Sequence, residues 1–321
     1  MNEVDLLRHI QTRSATPASR GAVEIGPGDD AAVIRVGDEQ VLLTVDHLVE
    51  GTHFNPIGQV PPDAIIDRIA RKAVARSISD IAAMGGTPIA SLATACFPPD
   101  FPQERANLLF DRMHAWAIRW QAPLVGGDIA QSPSRENRPH DALVLTVTVV
   151  GRPHPARGPV LRSTASPGDS LWVTGRLGNS LRSERHLTFE PRITESTWLC
   201  SRSSSRSGRP VPSAMIDLSD GLGRDAGRLA LASNVRIEID ADAIPRHDDC
   251  RDWQAAASDG EDYEILFTVP PETDLSAMLQ ATGTPATRIG IVAAGEPGCS
   301  VRTGADTTID AASMGWDHGT H

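Results

Sequence analysis

Carboxylates recur in this chain at the ends of apolar stretches. Asp29 and Asp30 follow Gly26-Pro27-Gly28, and Asp46 closes Val41-Leu42-Leu43-Thr44-Val45. Asp80 sits inside AVARSISDIAAMGGTP, Asp128 closes Leu124-Val125-Gly126-Gly127, and Asp217 and Asp220 lie in AMIDLSDGL. A carboxylate at an apolar position is costly unless a cation or hydrogen-bond donors meet it. Repetition of this pattern along the chain argues for a shared site for hard divalent cations, which take oxygen ligands. Each stretch also has a plainer reading on its own: a buried Asp capping a loop, or, for Asp29, a solvated acidic turn.

The elements that would position these groups follow from periodicity. A helix is predicted from near Asp63 through Met84. Its residues Ile66, Ile69, Ala73, Ser77, Asp80 and Met84 share one face, and Gly85-Gly86 supplies a C-cap signal. Asp80 is the one charge on that face, with the small Ser77, Ser79, Ala82 and Ala83 leaving room beside it. Val41–Asp46 reads as a strand on which Thr44 and Asp46 point to the same side. His53 follows in a glycine-hinged loop, where a neutral imidazole could hold a substrate. Gly127 would let backbone approach a phosphate closely. Asp217, Ser219 and Asp220 lie where a strand gives way to a helix N-terminus, a place suited to phosphate and metal. Arg162 reads equally as a phosphate clamp or a surface arginine. Glu261 belongs to an acidic loop before a strand, and Trp316 is a packing anchor or a stacking platform.

The spacing G-x-G-x-x-A at Gly26–Ala31 is not taken as a dinucleotide fingerprint. A β-branched run follows it rather than a helix, and Asp29-Asp30 would repel a pyrophosphate. Phe101 to Trp120 predicts an amphipathic helix with Leu108, Leu109, Met113, Trp116 and Ala117 inward.

A length of 321 residues suggests two domains, set here at 1–152 and 153–321, with the proline-rich Gly151–Pro159 between them. The net charge of −11 argues against nucleic acid as a partner. It would repel an anionic substrate too, unless divalent cations cover the acidic groups. No apolar run is long enough to span a membrane, and Met1–Ile10 is too polar for a signal peptide, so a cytoplasmic location is expected. The four cysteines are scattered, with no zinc or disulfide pattern. Lys72 is the sole lysine, which excludes a P-loop or protein-kinase lysine. Cys200–Arg209 reads as a flexible loop.

Taken in order, GPGDDAAVI, TVDHLVEGTHF, SISDIAAMGGTP, GGD, RSTASPGD, HLTFEPRI, IDLSDGL, GEDYEILF and GWDH resemble thiamine-monophosphate kinase. That family belongs to the ATP-binding superfamily of aminoimidazole ribonucleotide synthetase. The resemblance runs from Gly26 to Trp316. It implies a two-domain α+β fold: an N-terminal domain of mixed sheet and helix that pairs in a homodimer, and a C-terminal α/β sandwich-like domain. It implies ATP-dependent phosphorylation of thiamine monophosphate to thiamine diphosphate with several Mg²⁺ ions, and leaves a monovalent cation open. By matching positions, Asp30, Thr44, Asp46, Asp80, Asp128, Asp217 and Asp220 would bind magnesium, with Asp80, Asp128 and Asp217 central to catalysis. Gly127, Asp128, Arg162 and Ser219 would contact ATP. His53, Glu261 and Trp316 would contact thiamine monophosphate.

The chain departs from the family pattern at three places. Val45 stands where a hydroxyl residue is usual, Asp259 replaces the first glycine of GGEDYE, and the run between Gly178 and His186 is short. The alternatives are another enzyme of the superfamily, aminoimidazole ribonucleotide synthetase-like or hydrogenase-maturation-like, and an inert nucleotide- and metal-binding paralogue.

Overall fold

Alternating apolar and polar residues in the first half build a six-stranded sheet. The structure, a computed structural model, describes residues 3–14, 21–58, 61–133, 142–202, 208–304 and 307–316. After helix α1 (Glu3–Ser14) come β1 (Val23–Ile25), β2 (Ala32–Val36) and β3 (Glu39–Val49). Helix α2 (Asp63–Ala83), β4 (Gly86–Phe97), α3 (Gln103–Arg119), β5 (Leu124–Gln131) and β6 (Val144–Pro153) complete this half. The strand order is β1-β2-β3-β6-β4-β5, antiparallel except for the β4–β5 pair. Helix α3 starts two residues later than expected because Phe101 precedes Pro102, and a residue before proline avoids helical backbone. Leu109, Met113 and Ala117 are buried as expected, while Leu108 and Trp116 pack at the margin of the core.

The second half opens with β7 (Ser170–Thr174), α4 (Ile193–Cys200), β8 (Ala214–Asp217), α5 (Leu222–Ser233) and β9 (Arg236–Asp240). It continues with α6 (Trp253–Ser258), β10 (Ile265–Val269), α7 (Met278–Thr282), β11 (Ala286–Ala293), β12 (Gly298–Thr303) and β13 (Thr307–Asp310). These strands form one seven-stranded sheet, β13-β12-β9-β11-β7-β10-β8, with β9–β12 the parallel pair. Leu222, Ala226, Leu229 and Ala230 of α5 pack on it.

Helix α2 lies where the halves meet. The expected face is buried, and from Ile69 to Ala83 most of the other positions are buried as well. Ala82 and Ala83 pack with Val160, Leu199, Cys200, Met215 and Phe267 from the second half. Past the Met84 cap, Gly85 has φ +68° and a Cβ there would lie 2.6 Å from Cys200 Sγ, so only glycine fits. No helix among the described residues is long and apolar enough to cross a membrane. Residues 203–207, half of the expected flexible loop Cys200–Arg209, lie outside the described residues.

Candidate active site

Period-two geometry on β3 turns Thr44 and Asp46 inward, as expected, and Val45 onto the opposite face, where it is 58% exposed. Thr44 Oγ1 donates to Asp80 Oδ2. Asp46 Oδ2 accepts from Ser77 Oγ at 3.0 Å, and Asp217 Oδ2 accepts from Ser79 Oγ at 2.7 Å. The serines flanking Asp80 therefore hold the carboxylates beside it, a correction to the expectation that they leave empty room.

Asp30, Asp80 and Asp217 each place a carboxylate oxygen within 4.8 Å of the others. They arrive from the turn before β2, from α2 and from the end of β8, so both halves of the chain contribute. Burial, then the charges of Asp46, Asp217 and Asp30, push Asp80 well above the usual carboxylate range. Burial, then Asp30, does the same to Asp217. Burial and the adjacent Asp30 raise Asp29 to about 6. Buried carboxylates that raise one another's proton affinity are what a divalent cation reverses, and the donors are all hard oxygens. The set fits Mg²⁺.

Arg162 clasps Asp30 with both arms of its guanidinium, Nε to Oδ2 at 3.0 Å and Nη2 to Oδ1 at 2.6 Å. Its backbone N–H donates to Asp29 Oδ2 at 3.1 Å. Burial works against the Arg162 charge, but Asp30 and Asp29 outweigh it. The surface-arginine reading is thus excluded.

Three further expected site residues, Asp220, Gly127 and Asp128, lie outside this three-carboxylate group. Asp220 is paired with Arg228 at 2.6 Å rather than with the three clustered aspartates. Gly127 and Asp128 lie on exposed edge strand β5, with β4 and β6 between them and β3. The glycine at 127 also has a packing reason: a Cβ there would lie 1.7 Å from the Ala93 carbonyl oxygen.

Next to the cluster, Trp316, Glu261, His53, Ser219 and Arg76 line one pocket. Trp316 reaches it because its backbone N–H donates to Asp220 O at 2.9 Å. The approach is so close that a Cβ at Gly315, φ +128°, would lie 2.4 Å from that same oxygen. His53 Nδ1 accepts from Val49 N at 2.9 Å, which leaves the ring proton of the neutral form on Nε2. The Glu261 loop is held in left-handed backbone, φ +69° at Gly260, +59° at Glu261 and +52° at Tyr263. Glu261 N to Ser219 O (2.8 Å) and Tyr263 N to Leu218 O (2.9 Å) keep it there.

The substituted Asp259 has helical backbone, φ −65°, so no glycine is required. Its Oδ2 accepts from Asn179 N at 2.9 Å, which ties it to the shortened 178–186 segment. The two departures from the family pattern touch.

Sequence reading missed the residues behind this pocket. Lys72 is fully buried and donates to His53 O (2.8 Å), His186 Nδ1 (2.7 Å) and Glu261 Oε2. Burial alone would raise Glu261, but Lys72, His186 and Arg76 hold it down to about 2. The available signal was the chain's solitary lysine, set within the helix that carries Asp80.

Comparison with known proteins follows this geometry. Residues 28–152 match the AIR synthase related protein N-terminal domain and 166–301 the corresponding C-terminal domain. The thiamine-monophosphate kinase of Salmonella typhimurium is 34% identical over 332 aligned positions, covering 94% of both chains. The chain belongs to the thiamine-monophosphate kinase family. The Bacillus subtilis member of that family is 33% identical over 91% of both chains. A solved structure, AaThiL complexed with AMPPCP and TMP, superposes with a TM-score of 0.77 at 26% identity, covering 99% of this chain and 97% of the other. The hydrogenase maturation protein HypE of E. coli shares the fold, with a TM-score of 0.65 at 18% identity over 95% of both chains. The two AIR synthase related halves make the kinase family's α+β architecture.

Proposed function

We propose that this protein transfers the γ-phosphoryl group of ATP to the phosphate of thiamine monophosphate, giving thiamine diphosphate. The convergence of Asp30, Asp80 and Asp217 beside the pocket of His53, Glu261 and Trp316 carries this reading. The likeness to kinases of this name and to a structure holding AMPPCP and TMP supports it.

The acceptor is already an anionic oxygen nucleophile, so the chain needs no general base; positioning and charge neutralisation suffice. Asp30, Thr44, Asp46, Asp80 and Asp217 hold Mg²⁺, with Asp220 at the margin. When bound, the metal offsets the repulsion between two anionic substrates. Arg162 and Ser219 meet ATP. Trp316 stacks on an acceptor ring, and Glu261 and the His53 Nε2 proton orient the acceptor.

Gly127 and Asp128 join a site only through a second copy. Leu43, Val45, Leu92 and Val125 leave one sheet face exposed and apolar, and pairing two such faces in a homodimer would bring β5 of one copy to β3 of its partner. The domain division is set at 152/153, before the last residue of β6.

Release of ADP from ATP and Mg²⁺ should depend on thiamine monophosphate and stop on chelation. ADP release indifferent to the acceptor would overturn the proposal.

A further inference from the structure

The only lysine in the chain is fully buried. Burying an ammonium group is expensive, and buried ion pairs contribute little net stability, so a structural reason is weak. The three acceptors of Lys72 share a location. His53 and Glu261 line the proposed acceptor pocket, and His186 lines the adjoining cavity on the other side of His53. Lys72 comes from the first half of the chain, while Glu261 and His186 come from the second. A single side chain therefore bonds both the His53 loop and the Glu261 loop across the domain junction.

We propose that Lys72 is the positioning residue of the acceptor pocket. It fixes the carboxylate of Glu261 and the backbone of His53 where the acceptor meets them, and it touches neither ATP nor the reacting phosphates. Lys72 engages Glu261 through Oε2, leaving the other carboxylate oxygen for a donor on the acceptor. The assignment rests on the thiamine-monophosphate reading of the pocket. It goes further by naming a residue outside the pocket that controls acceptor affinity separately from ATP affinity.

The solitary lysine permits a direct test. Protein labelled with ¹⁵N-lysine carries one Nζ signal. Titration with thiamine monophosphate should shift it, and titration with a non-hydrolysable ATP analogue and Mg²⁺ should leave it in place. In parallel, Lys72→Met should raise the thiamine monophosphate KM about tenfold or more, the loss expected for a displaced bond to a charged group, with the ATP KM within about twofold. Lys72→Met combined with Glu261→Gln removes the stranded charge and should recover the melting temperature without recovering the acceptor KM. An Nζ signal unmoved by thiamine monophosphate would overturn the assignment even if no variant folds. Recovery of acceptor KM and melting together in the double variant would overturn it as well, leaving Lys72 a purely structural ion pair. Failure of the kinase reading shows separately, as wild-type protein that turns over ATP without regard to the acceptor.

Discussion

Ser79 on α2 donates to Asp217 at the end of β8 at 2.7 Å, joining residues 138 positions apart across the junction of the two halves. The bond turns Asp217 toward Asp80, one residue beyond Ser79 on the same helix. The carboxylate cluster is therefore built at a helix that packs against both halves of the chain.

Asp80→Asn and Asp217→Asn should each abolish phosphoryl transfer while the protein stays folded. Without metal, the variants should melt at or above the parent temperature, because each removes charge from a buried like-charged group. Calorimetry with and without Mg²⁺, paired with ADP release, checks this. Near-normal turnover in either variant would remove the metal cluster from the mechanism.

Asp262 gives a pH prediction away from the cluster. Burial raises it from 3.8 to about 7, against hydrogen bonds from Ser180 and Gly178. A carboxyl that holds its proton more tightly when folded contributes stability that is full below about pH 4 and lost as pH rises toward 7. The melting temperature should fall across that window. Asp262→Asn should flatten the fall in part, since Asp29 and Asp225 are raised too. An unchanged slope in the variant would exclude Asp262 as a source.

Local signals in the sequence were sufficient for several of these elements. The helical stripe around Asp80 and the strand alternation at Thr44 and Asp46 depend on neighbours within two turns or two residues, which a linear pattern records. The Lys72 network depends on partners 19, 114 and 189 positions away, which it does not record. Gly127 looked like a phosphate-approach glycine, but the carbonyl of Ala93 on the neighbouring strand also demands it. Asp220 was expected among the metal ligands by its match to the family motif, and its ion pair with Arg228 is a further contact that a linear pattern does not record.

Tyr263, the only tyrosine, stacks on Phe189 with ring centroids 3.9 Å apart, and its buried hydroxyl has no hydrogen-bond partner among the described residues. An unpaired buried hydroxyl costs stability, so Tyr263→Phe should melt at or above the parent temperature, by up to about 1 kcal/mol. A marked loss of stability in a thermal scan would mean that the hydroxyl is bonded in solution.

The exposed sheet face predicts a dimer burying well over ~1,000 Å², the scale of a specific interface. Leu92→Glu with Val125→Glu should yield a folded monomer, because both side chains face solvent within one copy, at 41% and 66% exposure. Light scattering that finds the parent monomeric at micromolar concentration would rule the pairing out.

Trp316 separates the acceptor site from the ATP site most sharply. It is 37% exposed, too open for a core anchor, yet its backbone is bonded to Asp220 and its side chain lines the pocket with His53 and Glu261. Aromatic stacking contributes on the order of 1 kcal/mol beyond the area covered. Trp316→Ala should then raise the thiamine monophosphate KM roughly tenfold or somewhat more, since 1.4 kcal/mol is about a factor of ten. The ATP KM should barely move, because the proposed function assigns the residue to the acceptor side. A packing role would instead lower the melting temperature and damage both KM values together. Quenching of tryptophan fluorescence by thiamine monophosphate, lost in the variant, would place the ring against the substrate. An unchanged acceptor KM would take Trp316 out of the site, leaving Glu261 and the His53 loop to select the acceptor alone.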